Sequence, residues 1–189
     1  MTSKRREKML SDIEGLTAML REGNVSLILD SYDDLFSDFD PRHYSEKALS
    51  DDFLMECRKA TRDKIQENGL ELRLLVPKEK RNLADEETIK RRLKNHFEKH
   101  FHEKQREHKE KKKRGIMWII LGAIFLTFSA LLLKKEGLVF SLLFVILDPA
   151  GWFTMWTGFD LLFFDVKETQ PEYDFYKKMS NLNIYFYSY

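Results

Sequence analysis

Two carboxylates, Asp148 and Asp160, lie within an otherwise apolar stretch and are the residues best placed for intramembrane chemistry. Ionisable side chains in a membrane are costly, and they usually pair with a basic group or mark a path for ions or protons. Basic residues directly precede the stretch: Lys109, Lys111, Lys112, Lys113 and Arg114. Asp160 lies about 7.5 Å of helix before the acidic residue that ends the stretch. We therefore expect Asp160 to pair with Arg114 or Lys113 and so to stabilise a hairpin of two helices.

Two apolar segments must position these carboxylates. Residues 116–133 carry no charge and correspond to about 27 Å of helix, close to the roughly 30 Å of hydrocarbon in a bilayer. Residues 138–164 follow a polar break and form a segment too long for one simple span. We expect this segment to break at Asp148-Pro149, because Asp caps helices and Pro fits the first helical turn. Residues 138–147 would then be re-entrant or interfacial; the alternative is one kinked helix with Asp148 inside it.

These segments predict an α-helical membrane protein, a two-span transmembrane hairpin with a small cytoplasmic α+β domain. The basic residues before the first segment outnumber the two lysines of the far loop, so we expect both termini to be cytoplasmic, at the cell membrane. Three aromatic residues are expected at the membrane interfaces: Trp118, Trp152 and Trp156. The predicted regions are a cytoplasmic α+β region (1–83), a basic helix leading into the membrane (84–114), the first transmembrane helix (115–134), a broken apolar segment containing the second (138–165) and a cytoplasmic tail with a strand (166–189).

Periodicity predicts the elements of the cytoplasmic part. Residues 4–20 have helical apolar spacing and no continuous apolar core, so we expect an amphipathic helix and no cleavable signal peptide. Apolar residues alternate with polar ones over residues 70–76 and again over 182–187, which predicts two strands that pair and tie the tail to the amino-terminal domain. A stripe at helical spacing predicts one long helix that enters the first span: Ile89, Leu93, Phe97 and Phe101.

Composition does not favour catalysis. The net charge is +1, with 43% hydrophobic and 33% charged residues, an average of a charged part and an apolar hairpin. The single cysteine, Cys57, is expected on the apolar side of a helix, where a buried structural role is commoner than a nucleophilic one. His96 and His100 are one turn apart but lack a third zinc ligand. We therefore predict no enzymatic activity, no catalytic or metal-binding residues, no cofactor and no nucleic-acid partner.

Several short motifs occur in a recognisable order: Asp40-Pro41-Arg42, then Asn95-His96-Phe97, then Gly151-Trp152, Trp156 and Asp160 in the second apolar segment. From about Phe39 onward this order resembles a widespread family of small two-span prokaryotic membrane proteins of unassigned function. Members of that family carry an Arg-Pro pair where this chain has Thr157-Gly158, and a Glu at the place of Asp160. An intramembrane pair of Arg and acid is therefore not carried over, and the resemblance implies architecture without a reaction or ligand.

Two functions follow as hypotheses. The first is a non-enzymatic interaction or scaffold protein, anchored in the lipid bilayer and acting at the cytoplasmic face with a protein partner or as a homo-oligomer. The second is a subunit of an oligomeric pore or transporter with Asp148 and Asp160 along a polar path. Two spans do not enclose a path alone, so a monomer or dimer would exclude the second hypothesis.

Overall fold

A computed structural model describes residues 25–62 and 71–189 of the chain. It divides into two compact units, one formed by Met1–Lys99 with Phe175–Tyr189 and the other by His100–Asp174. The amphipathic helix expected over residues 4–20 lies outside the described residues.

The first unit contains a parallel sheet of three strands. These are β1 (Val25–Ile28), β2 (Glu71–Val76) and β3 (Asn183–Ser188), in the order β1-β2-β3. The predicted strands and their pairing are confirmed, with Leu72 opposite Ile184 and Leu74 opposite Phe186. Because every pair is parallel, the small domain has α/β topology and not the predicted α+β topology: parallel neighbours need a long crossover between them. The crossover from β2 to β3 contains both apolar segments.

Over residues 25–62 and 71–189 the chain also forms four helices. They are α1 (Asp51–Arg62), α2 (Leu83–Leu132), α3 (Leu138–Asp160) and α4 (Val166–Ser180), with short 3-10 turns at Tyr32–Leu35 and Lys78–Lys80 and a π-helical turn at Leu161–Asp165. The single long helix predicted from the apolar stripe is confirmed as α2, which runs through both units without a break.

The apolar stripe predicted on α2 forms part of the core of the first unit. Ile89 and Leu93 are fully buried, and the ring of Phe97 meets that of Phe175 edge-on at 6.4 Å. Cys57 on α1 is also fully buried, as expected, and burial raises the pKa of its thiol to about 12. A thiol with that pKa stays protonated at neutral pH, so Cys57 packs as a small apolar residue.

The second unit contains two helices that are long and apolar enough to cross a membrane. One lies within Leu83–Leu132 and the other within Leu138–Ser180. The break expected at Asp148-Pro149 is wrong, because α3 passes through Pro149 as one α-helix. A break would leave several backbone groups of an apolar segment without hydrogen bonds, whereas a proline inside a continuous helix removes only one donor. Residues 138–147 are therefore the first turns of α3 and not a separate piece.

Glycines set the contact between α2 and α3. Gly115 and Gly122 on α2 face Gly158 and Gly151 on α3, and each pair is spaced by two helical turns. A Cβ atom at Gly122 would lie 2.6 Å from the backbone nitrogen of Met155, and one at Gly158 would lie 2.7 Å from the backbone oxygen of Gly115. Only glycine allows the two backbones to approach this closely. The contacts fix which sides of the two helices face each other.

Candidate functional site

Asp148 is held at the contact between α2 and α3. The hydroxyl of Ser129, which is fully buried, donates a long hydrogen bond of 3.5 Å to Oδ1 of Asp148. Asp148 itself is half-buried and lies in the interior of α3, not at a helix start. Its helix-capping role is therefore wrong, and its carboxylate instead joins the two helices through a serine.

Asp160, the last residue of α3, is exposed. The expected ion pair with Arg114 or Lys113 is wrong: among the described residues Asp160 has no ion pair. The reason is helical phase. Gly158 faces α2, and a residue two positions further along a helix of 3.6 residues per turn lies about 200° around it. The carboxylate of Asp160 therefore points away from α2 and its basic residues.

Aromatic side chains line a groove that Asp160 borders. An open groove of about 310 Å³ is lined by Trp156, Phe159, Asp160, Phe163 and Phe164. Trp156 is 70% exposed and Phe164 is 69% exposed, so the groove opens outward from the hairpin. The π-helical turn that begins at Leu161 carries two of the rings, and such turns are rare and often occur at functional sites. A carboxylate beside aromatic faces is suited to a cation, which the charge and the rings both attract.

The basic run before the apolar part of α2 forms few ion pairs among the described residues, although Glu110 attracts Lys113 and Arg114 electrostatically. Lys111 lies 3.4 Å from Glu107, and its neighbours in the run are exposed and have no ion pair among the described residues: Lys109, Lys112, Lys113 and Arg114. The tryptophans expected at the interfaces all reach the surface, with Trp118 36%, Trp152 57% and Trp156 70% exposed. Trp118 follows the basic run closely, as is typical of a membrane boundary, whereas Trp152 follows Gly151, which contacts Leu126 midway along the apolar part of α2.

Within the second unit, α4 packs beside α2 just before the apolar segment. Nζ of Lys104 lies 2.9 Å from Glu172 and 3.3 Å from Glu107, and these hydrogen bonds raise the pKa of Lys104. Tyr173 stacks on the ring of His108, with centroids 5.0 Å apart and planes at 10°. We call this pair of helix segments, residues 104–108 of α2 and 172–174 of α4, the stalk. The sequence does not predict the stalk, because the residue spacing in one helix does not indicate which helix packs against it.

His108 is the buried titratable group of this stalk. Its side chain is 93% buried, and its Nδ1 has no hydrogen-bond partner among the described residues. Burial lowers the pKa of His108, and the positive charges of Lys112 and Lys111 lower it further, while Asp174 acts in the opposite direction. The folded stalk therefore favours the neutral imidazole.

Acidification should weaken this stalk. Because the pKa of His108 is lower in the folded chain, the unfolded chain takes up the proton first, and stability is lost as the pH falls below the ordinary histidine value of about 6.5. His108→Phe keeps a ring against Tyr173 and should reduce the loss measured by thermal unfolding in detergent between pH 8 and pH 5. The control is His102→Phe, at an exposed position on the same helix. An unchanged pH dependence in His108→Phe would contradict this role.

No protein family, curated protein or solved structure matches this chain. The resemblance to the two-span prokaryotic family therefore stays a prediction. Over residues 25–62 and 71–189 no three His, Cys, Asp or Glu side chains come together in a way that would hold a metal ion. The geometry alone defines the candidate site. It consists of the outward carboxylate of Asp160 beside an aromatic groove on α3, and of basic residues on α2 that form no ion pair among the described residues.

Proposed function

We propose that this protein is a non-enzymatic, membrane-anchored interaction module whose sheet domain lies at the cytoplasmic face of the cell membrane. The observation that carries the proposal is the pairing of β2 with β3 across the entire apolar insertion. Strands that share hydrogen bonds lie on the same side of any membrane. An anchor of two crossings satisfies this condition, whereas a single crossing would separate the strands.

The charge distribution supports the cytoplasmic side. Four exposed basic residues that form no ion pair among the described residues precede the apolar part of α2, while the loop between α2 and α3 contains Lys134 and Lys135. Short loops rich in Lys and Arg are retained in the cytoplasm. Both ends of the sheet domain would then face the cytoplasm, together with the stalk.

The reactive side chains of the first unit support a structural role. The thiol of Cys57 is protonated and buried. The carboxylate of Glu86 accepts hydrogen bonds from Arg81 at 2.8 Å and from the hydroxyl of Tyr32 at 2.9 Å. Cys57 and Glu86 are thus committed to packing and to an ion pair.

One observation favours the alternative, a subunit of an oligomeric pore or transporter. Asp160 is exposed on the outer side of α3 and has no basic partner among the described residues. In a ring of several hairpins that face could border a polar path, because intramembrane carboxylates often serve ion or proton transfer.

Cysteine labelling tests the anchor. In a Cys57→Ala background, Glu136→Cys in the far loop should react with an impermeant thiol reagent in intact cells. Lys109→Cys, before the apolar segment, should react only after the membrane is permeabilised. Labelling of Lys109→Cys in intact cells would contradict the proposed orientation. Ion release from vesicles that contain the purified protein would favour the pore over the interaction module.

A further inference from the structure

We propose that the groove at Asp160 binds Lys113 of a second copy. Neighbouring hairpins would then have the same orientation in the membrane, and α3 of one copy would contact α2 of the next. This inference rests on the membrane anchoring proposed above. It assigns an occupant to an outward carboxylate that has no basic partner within the described chain. Each copy would donate one lysine and accept one.

Helical phase places the two charges on opposite outer sides of the hairpin. Gly115 of α2 and Gly158 of α3 face each other at the helix contact. Lys113 lies two positions before Gly115, and Asp160 lies two positions after Gly158. Two positions correspond to about 200° of rotation, so each side chain points away from the other helix of its own hairpin. Both side chains are exposed, as this geometry requires.

The depths of the two charges also match. A Cβ atom at Gly115 would lie 2.7 Å from the Leu162 side chain and 3.1 Å from the backbone oxygen of Gly158. Gly115 is therefore level with the turn that contains Asp160, and Lys113 is displaced from that level by about 3 Å of helix. Rotation about the membrane normal preserves depth, so cyclic symmetry brings Lys113 of one copy to the level of Asp160 in the next.

The groove suits the apolar stem of a lysine side chain, because aromatic rings form almost all of its surface, and Asp160 borders it. Its rings cover the apolar stem, and its carboxylate meets the ammonium group, which also interacts favourably with aromatic faces. A lipid ammonium headgroup offers similar chemistry. A second copy is favoured because Lys113 also lacks an ion pair among the described residues. Glu110, one turn earlier on the same helix, attracts Lys113 without forming an ion pair with it. Lys113 and Asp160 are therefore opposite charges at one depth and complementary between copies.

Charge exchange tests the contact. The protein is reconstituted in vesicles of phosphatidylglycerol, whose headgroup carries no amine, and subunits are counted by single-molecule photobleaching. Wild type should be oligomeric, Asp160→Lys and Lys113→Asp should each reduce the oligomer at least tenfold, and the double exchange in one chain should restore it. Arg114→Asp is the matched control, because it makes the same charge change one residue away on the flank of α2, and it should leave the oligomer intact.

A second measurement does not depend on charged variants. In a Cys57→Ala background, chains carrying Asp160→Cys and chains carrying Lys113→Cys should form a disulfide between subunits when they are mixed in the same vesicles. Failure of this disulfide, or of the double exchange to restore the oligomer, would overturn the proposed contact. A monomeric wild type that still labels at Glu136→Cys would overturn the contact and leave the membrane anchor standing. Loss of labelling at Glu136→Cys would contradict the proposed membrane anchor.

Discussion

Ending the chain at Leu182 should unfold the sheet of the first unit and leave the apolar hairpin helical. The truncation removes β3, and with it the registered pairs from Glu71↔Asn183 to Val76↔Ser188. It also exposes the ring of Tyr32, which Phe186 covers edge-on at 5.8 Å. Domains of this size are stable by only about 5–15 kcal/mol, and burying one large apolar side chain contributes about 1.5–3 kcal/mol. The loss of a whole strand therefore exceeds what the domain can tolerate.

Hydrogen exchange followed by mass spectrometry would measure this effect in detergent. Amides of β2 should lose protection in the truncated chain, while amides of α3 should keep theirs. Two point variants on the same strand provide the matched control: Phe186→Ala at a buried position and Tyr185→Ala at a position that is 41% exposed. Only Phe186→Ala should lower the stability of the first unit appreciably. Protection of β2 that survives truncation would show that the sheet does not need its last strand.

The alternation of residue types made the strands predictable, but it did not reveal their direction. Leu72 and Leu74 alternate with charged neighbours, and Ile184 and Phe186 alternate with Asn183 and Tyr185. A period of two fixes which side chains share a face, yet the same period serves parallel and antiparallel pairs. Parallel pairing instead depends on the length of the crossover between the strands.

The helix through Pro149 shows how local preference was overridden. Asp148 and Pro149 are favourable at a helix start, so the sequence alone predicts a break there. A helix cap contributes about 1 kcal/mol of stability. Each backbone group left without a hydrogen bond in apolar surroundings costs several kcal/mol. Continuity of α3 therefore outweighs the cap.

The candidate site was predictable in its residues and not in its orientation. Asp160 stood out as a carboxylate in an apolar segment, but its direction depends on Gly158 and on the contact that this glycine makes with Gly115. That contact fixes the phase of α3 and turns Asp160 outward. The π-helical turn after it has no residue pattern of its own, since an inserted residue changes the phase of a helix without changing its composition.

Replacing Glu86 with Ala should destabilise the first unit by about 1.5–3 kcal/mol, the usual contribution of hydrogen bonds to a charged group, because Arg81 is still 28% exposed. Glu86 is 2% exposed in the first turn of α2. Its Oε1 and Oε2 accept hydrogen bonds from Nε and Nη2 of Arg81 at 2.8 and 2.9 Å. The hydroxyl of Tyr32, which donates to Glu86, accepts a bond of 2.8 Å from the backbone of Asn82. Alanine would leave the guanidinium and the hydroxyl without their shared acceptor.

The neighbouring residue on the same helix supplies a matched control. Glu87 pairs with Lys90 at 2.7 Å, but its side chain is 70% exposed, and exposed pairs contribute only about 0–1 kcal/mol. In chemical denaturation, Glu86→Ala should therefore lower the free energy of unfolding several-fold more than Glu87→Ala does. Equal losses would show that the network at Arg81 is no stronger than a surface pair.

Acid titration gives the same network an independent test. Hydrogen bonds from Arg81, and a further one from Tyr32, hold the pKa of Glu86 below its ordinary value, although burial opposes them. A carboxylate with a lowered folded pKa contributes stability above its unfolded pKa of about 4.3, and this contribution is lost as the pH falls through the folded pKa. Wild type should therefore lose stability below about pH 4.3, and Glu86→Gln, which stays neutral, should lack that part of the dependence. If both proteins lose stability in parallel as the pH falls, the charge of Glu86 does not stabilise the start of α2.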